Sequence, residues 1–303
     1  MDPILIAALK QVIAPAVGSI VFVLLVWRPR SKDGPPAPAW LASVGLTLAV
    51  VVGQFVDPGW HGLWPTDTSR RLLLIAVVAG LVGSTGSYLP GGRATRWGLW
   101  GIASAFAVFA VTQHRTRSGA WEGAEAWGWI GAWTLVTFFA VASFEWLARQ
   151  GPSWRSMLGI CLLASAASGL VTGCGIATLG LTMGSFCAFT GFSAAVALVR
   201  PGLSYAGGAA GAVGLLYGSC VALSYTSVPE PVPYAGIGAV ALAPALLAIG
   251  PVARWLGSRR KPALIALGAV LAAAMIVMGF LDMLRIHAQE ADEYDPAAEM
   301  YGY

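Results

Sequence analysis

Apolar runs of about twenty residues alternate along the whole chain with short stretches that collect Arg, Pro, Gly and Asp. A helix rises ~1.5 Å per residue and the hydrocarbon layer is ~30 Å thick, so each run is the length of one membrane-spanning helix. The pattern predicts an all-α polytopic bundle of about ten transmembrane helices. Their expected positions are about Ile4 to Trp27, Trp40 to Val56, Leu72 to Leu89, Trp97 to Gln113 and Trp127 to Ala148, then two between Ser156 and Val199, and finally Ser204 to Thr226, Tyr234 to Leu256 and Pro262 to Leu284. Residues 1–288 form one transmembrane domain, with an expected division into halves 1–150 and 151–288, and residues 289–303 form an acidic tail expected to be disordered.

Met157 to Val199 contains no charged residue and is too long for a single span, so the chain must turn or break within it. The expected break lies from Gly173-Cys174-Gly175 to Gly180, as a tight hairpin or a broken helix. Irregular backbone at membrane depth needs protein or trapped water around it, because lipid offers it no hydrogen-bond partners. Four small-residue pairs at helical spacing surround this region: Gly169 with Gly173, Gly180 with Gly184, Gly207 with Gly211, and Gly214 with Gly218. Residues four apart share a helix face, and such grooves let a second helix approach closely. The three helices from residue 157 to 226 are therefore expected to pack on one another. The hydroxyls threaded through them, Ser165, Ser168, Thr172, Thr178, Thr182, Ser185, Thr190 and Ser193, serve either helix packing or a solute path.

Short loops set the expected orientation. With the amino terminus outside, twelve of the eighteen basic residues fall on the inner side, among them Arg28, Arg30, Lys32, Arg93, Arg96, Arg149 and the Arg259-Arg260-Lys261 cluster. That bias follows the positive-inside rule and places both termini outside. The first run is not expected to be a cleavable signal, since its positive charges follow the apolar stretch. Tryptophans at the ends of the runs agree with interfacial anchoring.

Composition supports the membrane class. Hydrophobic residues make up 57% of the chain and charged residues 11%, with a mean hydropathy of +0.72, whereas soluble domains carry about a quarter charged residues. The basic pI of 9.0 does not imply nucleic acid, because the charges are scattered over short loops. The preference for Arg over Lys and the abundance of Ala and Gly favour a bacterial inner membrane.

Chemistry is sparse. Lys10 lies about a turn and a half inside the first run; it either snorkels to the surface or faces the bundle as an anion or proton site. Glu145 is expected to pair with Arg149 four residues on, and Asp282 with Arg285. Arg70, Arg71 and His114 fall in loops on this reading. His61, His114 and His287 show no ligand spacing, and Walker A and HExxH sequences are missing, so neither a metal nor a cofactor is expected. Cys161, Cys174, Cys187 and Cys220 show no CxxC spacing and read as small buried apolar residues. Gly191-Phe192-Ser193-Ala194 has no base near it in sequence.

Two functions fit. One is a permease or secondary transporter carrying a small solute through the Gly-rich helices, with Lys10, Gly169, Gly173, Gly175, Gly180, Gly184, Gly207, Gly211, Gly214 and Gly218 as path or packing residues. The other is a non-catalytic subunit or scaffold of a larger membrane complex. The expected partners are the lipid bilayer, other membrane subunits, and a basic protein at the tail, where Glu290, Asp292, Glu293, Asp295 and Glu299 alternate with Tyr294, Tyr301 and Tyr303.

Overall fold

The computed structural model describes residues 9–27, 36–55, 70–86, 92–149, 152–173 and 177–227, together with residues 6, 88, 237, 238, 240, 241, 243, 244, 277, 281, 284 and 285. Every regular element among them is helical, and there is no strand among the described residues. A π-helical turn, Leu9–Ile13, leads into α1 (Ala14–Trp27). Then follow α2 (Ala39–Phe55), α3 (Arg71–Thr85), α4 (Gly92–Arg117) and α5 (Gly123–Leu147). The series continues with α6 (Ser153–Gly173), α7 (Ala177–Val199) and α8 (Ala209–Ser227).

These eight helices stand where the first eight apolar runs predict spans. The last two expected spans and the acidic tail lie outside the described residues, apart from isolated positions. Among the described residues, five helical stretches are long and apolar enough to cross a bilayer: Leu9–Trp27, α4, α5, Leu179–Val199 of α7, and α8. Shorter apolar helices lie at Ala39–Gln54 and Arg71–Thr85. The outside of the bundle is apolar as well, with Ile102, Leu135, Phe139 and Leu162 all largely exposed. Helices of this kind fit an integral membrane protein, since a continuous hydrogen-bonded backbone with apolar side chains outward is what lipid accepts.

The long uncharged stretch holds two antiparallel helices, α6 ending at Gly173 and α7 beginning at Ala177. Helix resumes at Ala177, so Gly180 lies inside α7 and not in the interruption as expected. Across the pair, Ser168 Oγ donates to the Gly180 carbonyl at 2.8 Å, and Cys187 lies opposite Cys161 and Ser165. A partner that moves down one helix as its counterpart moves up the other fixes the antiparallel sense.

The hub is α8. Its residues are buried almost throughout, from Ala209 to Ser224 without interruption. The expectation that it packs on α6 and α7 is corrected by the fold: its chief neighbour is α5, followed by α3 and α4, and it only grazes α6 and α7. The reason is the direction of its glycine stripe. A Cβ on Gly214 would lie 2.6 Å from the Val141 Cα, and one on Gly218 would lie 2.8 Å from the Thr137 Cα. Both distances are shorter than real Cβ contacts, so the two backbones meet through glycine alone. The matching steps, 214 against 141 and 218 against 137, show that α5 and α8 run antiparallel.

Gly207 is not on the helix face that its spacing to Gly211 suggests. It precedes α8 with φ +105°, a backbone geometry that side chains rarely adopt, and turns the chain into the helix.

Candidate functional site

Glu145 is nearly completely buried near the end of α5. A carboxylate there requires compensation, since removal of a charge from water costs several kcal/mol unless partners replace the solvent. Three groups converge on it. Arg96, from the first turns of α4, forms an ion pair with Oε2. Arg149 approaches the same oxygen at 3.3 Å from one turn further along the chain. The Gly211 amide donates to Oε1 at 3.2 Å.

Gly211 stands in the first turn of α8, where backbone N–H groups lack partners within the helix. Glu145 therefore caps a helix that is not its own, with its negative charge at the positive end of the helix dipole. The absence of a Cβ at Gly211 makes room for this arrangement: a Cβ there would run into the Trp100 ring and sit 3.1 Å from Glu145 Oε1. Trp100 is wholly buried over the same turn.

The other end of α8 is treated with the opposite sign. Arg115 Nε donates to the Thr226 carbonyl at 2.6 Å, and His114 Nε2 lies 3.0 Å from the same oxygen. The last carbonyls of a helix carry partial negative charge, which a cation complements. Nearby, Arg71 is also buried and donates from one terminal nitrogen to the Ala110 carbonyl at 2.8 Å and to Gln113 Oε1 at 3.0 Å. Arg71 and His114 are thus helical and engaged, where their polarity suggested loops. Polarity marks the limit of the hydrocarbon, and a helix continues past that limit when its polar residues find partners.

Lys10 is exposed on the π-helical turn. It borders a groove of about 330 Å³ between α1 and α2, lined by Gly18, Phe22, Leu48 and Val52 among others. Gly169 is half-buried on α6; Gly173 ends that helix, and Gly175 lies outside the described residues. Gly180 faces the Thr172 hydroxyl, and a Cβ on Gly184 would lie 3.3 Å from the Val12 side chain. The candidate residues therefore fall into separate settings: Lys10 at a groove, Gly180 in the α6/α7 pair, Gly184 where α7 meets the π-helical turn, and Gly211, Gly214 and Gly218 along the α5/α8 seam.

Several hydroxyls of the Gly-rich helices turn back on their own backbone, while Ser168 and Ser193 bond the Gly180 carbonyl and the Tyr205 hydroxyl. Thr172, Ser185, Thr190, Ser219 and Ser224 each bond the carbonyl four residues earlier, at 2.6 to 3.0 Å. Ser185 also reaches the Gln11 carbonyl at 2.9 Å, and Gln54 bonds Thr182, tying the π-helical turn and α2 to α7.

One pair escapes the sequence altogether. Cys161 Sγ and Cys187 Sγ lie 3.5 Å apart across the α6/α7 hairpin, and Ser165 Oγ is 2.8 Å from Cys187 Sγ. They are separated by 26 residues, so no CxxC spacing announces them. The expectation of small buried apolar residues holds for Cys220, whereas Cys161 and Cys187 are only half-buried; Cys174 lies outside the described residues. Comparison with known protein families, curated proteins and solved structures finds no match to this chain.

Proposed function

We propose that this protein is a non-catalytic scaffold or subunit of a bacterial inner-membrane assembly, with ten spans and both termini outside. The observation that carries the reading is the enclosure of α8: glycines close its seam with α5, Glu145 ties down its first turn, and Arg115 and His114 hold its last. A helix fixed on all sides suits a frame on which other subunits assemble. Hydroxyls bonded to their own helices support the same reading, because they are already engaged without a solute. The acidic tail, residues 289–303, supplies a charged surface for a basic partner.

A second reading, a permease for a small solute, is favoured by one observation. A buried carboxylate between two arginines joins α4, α5 and α8 at one end of the bundle, and ionisable groups inside a membrane protein often mark a pathway. On that reading the cluster is a closed inner gate and the moving element is α8.

Mass measurement of the intact protein released from its native membrane in mild detergent separates the two. A scaffold yields an assembly with partner chains in fixed ratio, which is lost when Gln289 to Tyr303 is deleted or when α8 packing is broken by Gly214→Leu. A protein that emerges alone, while its abundance and fold are intact, supports the permease.

A further inference from the structure

Cys161 and Cys187 sit near the middle of their helices, eight residues beyond Ser153 and ten beyond Ala177. At ~1.5 Å per residue that is roughly 12–15 Å from either helix start, about half the ~30 Å thickness of a bilayer's hydrocarbon layer. Each sulfur also lies 3.4 Å from the other residue's backbone carbonyl. Such reciprocal contact occurs only where two residues face each other directly across closely packed helices. Gly191, one turn from Cys187, keeps them close: a Cβ there would be 3.2 Å from Cys161 Sγ. The two thiols are thus positioned for an S–S bond, which needs an approach of the sulfurs to ~2.05 Å without large backbone movement.

Their surroundings decide what can oxidise them. Both cysteines are half-buried, Ser165 beside them is exposed, and Leu158 and Leu162 on the same helix are exposed at 43% and 63%. The dithiol therefore opens sideways through an apolar rim, toward lipid and not toward water. Hydrophilic oxidants such as glutathione disulfide are excluded from that depth, whereas a lipid-dissolved quinone reaches it.

We infer that Cys161 and Cys187 form a redox-active dithiol that is oxidised within the bilayer by a membrane quinone. Two S–H bonds break and one S–S bond forms. The two electrons and two protons pass to the quinone, which leaves as the quinol. The product is a cross-link that staples α6 to α7. Ser165 orients the Cys187 sulfur through the 2.8 Å contact. The inference goes beyond the scaffold reading and does not depend on which partners assemble.

The test uses the full chain, with its four cysteines, reduced and reconstituted without oxygen in phospholipid vesicles. Decylubiquinone is added, the reaction is quenched in acid, and the remaining thiols are counted by maleimide labelling after denaturation. The expected result is a fall from four thiols to two, one quinol formed per chain, reversal by dithiothreitol, and no change with glutathione disulfide. C161S and C187S, each with three thiols, are expected to keep all three and to make no quinol. C220S is expected to fall from three to one. Four thiols remaining in the wild-type chain would overturn the inference, as would a stable quinone adduct, equal oxidation by glutathione disulfide, or thiol loss that persists in C161S.

Discussion

The Gly211 amide donates to Glu145 Oε1 at 3.2 Å, so a carboxylate on α5 caps the first turn of α8. Capping residues usually belong to the helix they cap; here the cap comes from the helix packed alongside, and it fixes the vertical register of the two. Because Arg96 and Arg149 share the other carboxylate oxygen, one side chain joins α4, α5 and α8.

Loss of that charge leaves arginine uncompensated in a nearly dry site. Glu145→Gln is expected to destabilise the bundle by about 3–5 kcal/mol, the usual cost of breaking a buried pair from one side. Arg149→Gln is expected to cost only about 0–1 kcal/mol, because Arg149 is 42% exposed and solvent screens it. Thermal unfolding of the detergent-solubilised protein reads the difference. Similar losses for the two variants would contradict the assigned roles.

The α5/α8 seam makes a sharper geometric claim. Gly214→Ala and Gly218→Ala place a methyl group against the backbones of Val141 and Thr137, and are each expected to cost about 1–3 kcal/mol as overpacked positions. Gly101→Ala and Gly131→Ala meet open space and are expected to be neutral or to stabilise by about 0.5–1 kcal/mol. The same unfolding assay compares all four substitutions. If Gly101→Ala and Gly131→Ala proved as damaging as the seam pair, close backbone contact would not be what the seam glycines provide.

At the other end of α8, Arg115→Gln removes both the charge and a hydrogen bond to Thr226. An expected cost of about 1–2 kcal/mol follows from a cation lost at a helix C-terminus. Amide exchange localises the effect: protection is expected to fall in the last turn of α8 while its first turn stays protected. Uniform loss along the helix would place Arg115 in a global role.

Buried Arg71 is expected to resist replacement by lysine. Its guanidinium reaches Ala110 and Gln113 with one terminal nitrogen, the outermost atom of the side chain, and a lysine ammonium ends short of that position. Arg71→Lys is expected to lose about 1.5–3 kcal/mol, typical of hydrogen bonds to a charged group. Full stability in the lysine variant would show that only the charge matters at this position.

Helix positions were legible because lipid imposes one rule on every span, and the first eight apolar runs match α1 to α8. The ends of α4 were not: Arg93 and Arg96 at its start, and His114 to Arg117 at its close, are polar and helical at once. Hydropathy reports where side chains meet water, whereas helix length depends on partners such as Glu145 and Thr226. Those partners are remote in sequence, since Gly211 stands 66 residues from Glu145 and Thr226 stands 111 from Arg115. Spacing within one helix showed that Gly214 and Gly218 share a face but not which neighbour that face meets. The local pairing of Glu145 with Arg149 was readable for the opposite reason, because four residues along a helix bring two side chains together.

The measurement that tests the account most directly is hydrogen–deuterium exchange of the α8 amides in the full chain, reconstituted in vesicles. A fixed central helix predicts that residues 209–227 exchange only with global unfolding, more slowly than α1 or α4. Exchange around Ser219 and Ser224 within minutes, while the neighbouring helices stay protected, would contradict it. Water would then reach the centre of the bundle, and the permease reading would replace the scaffold.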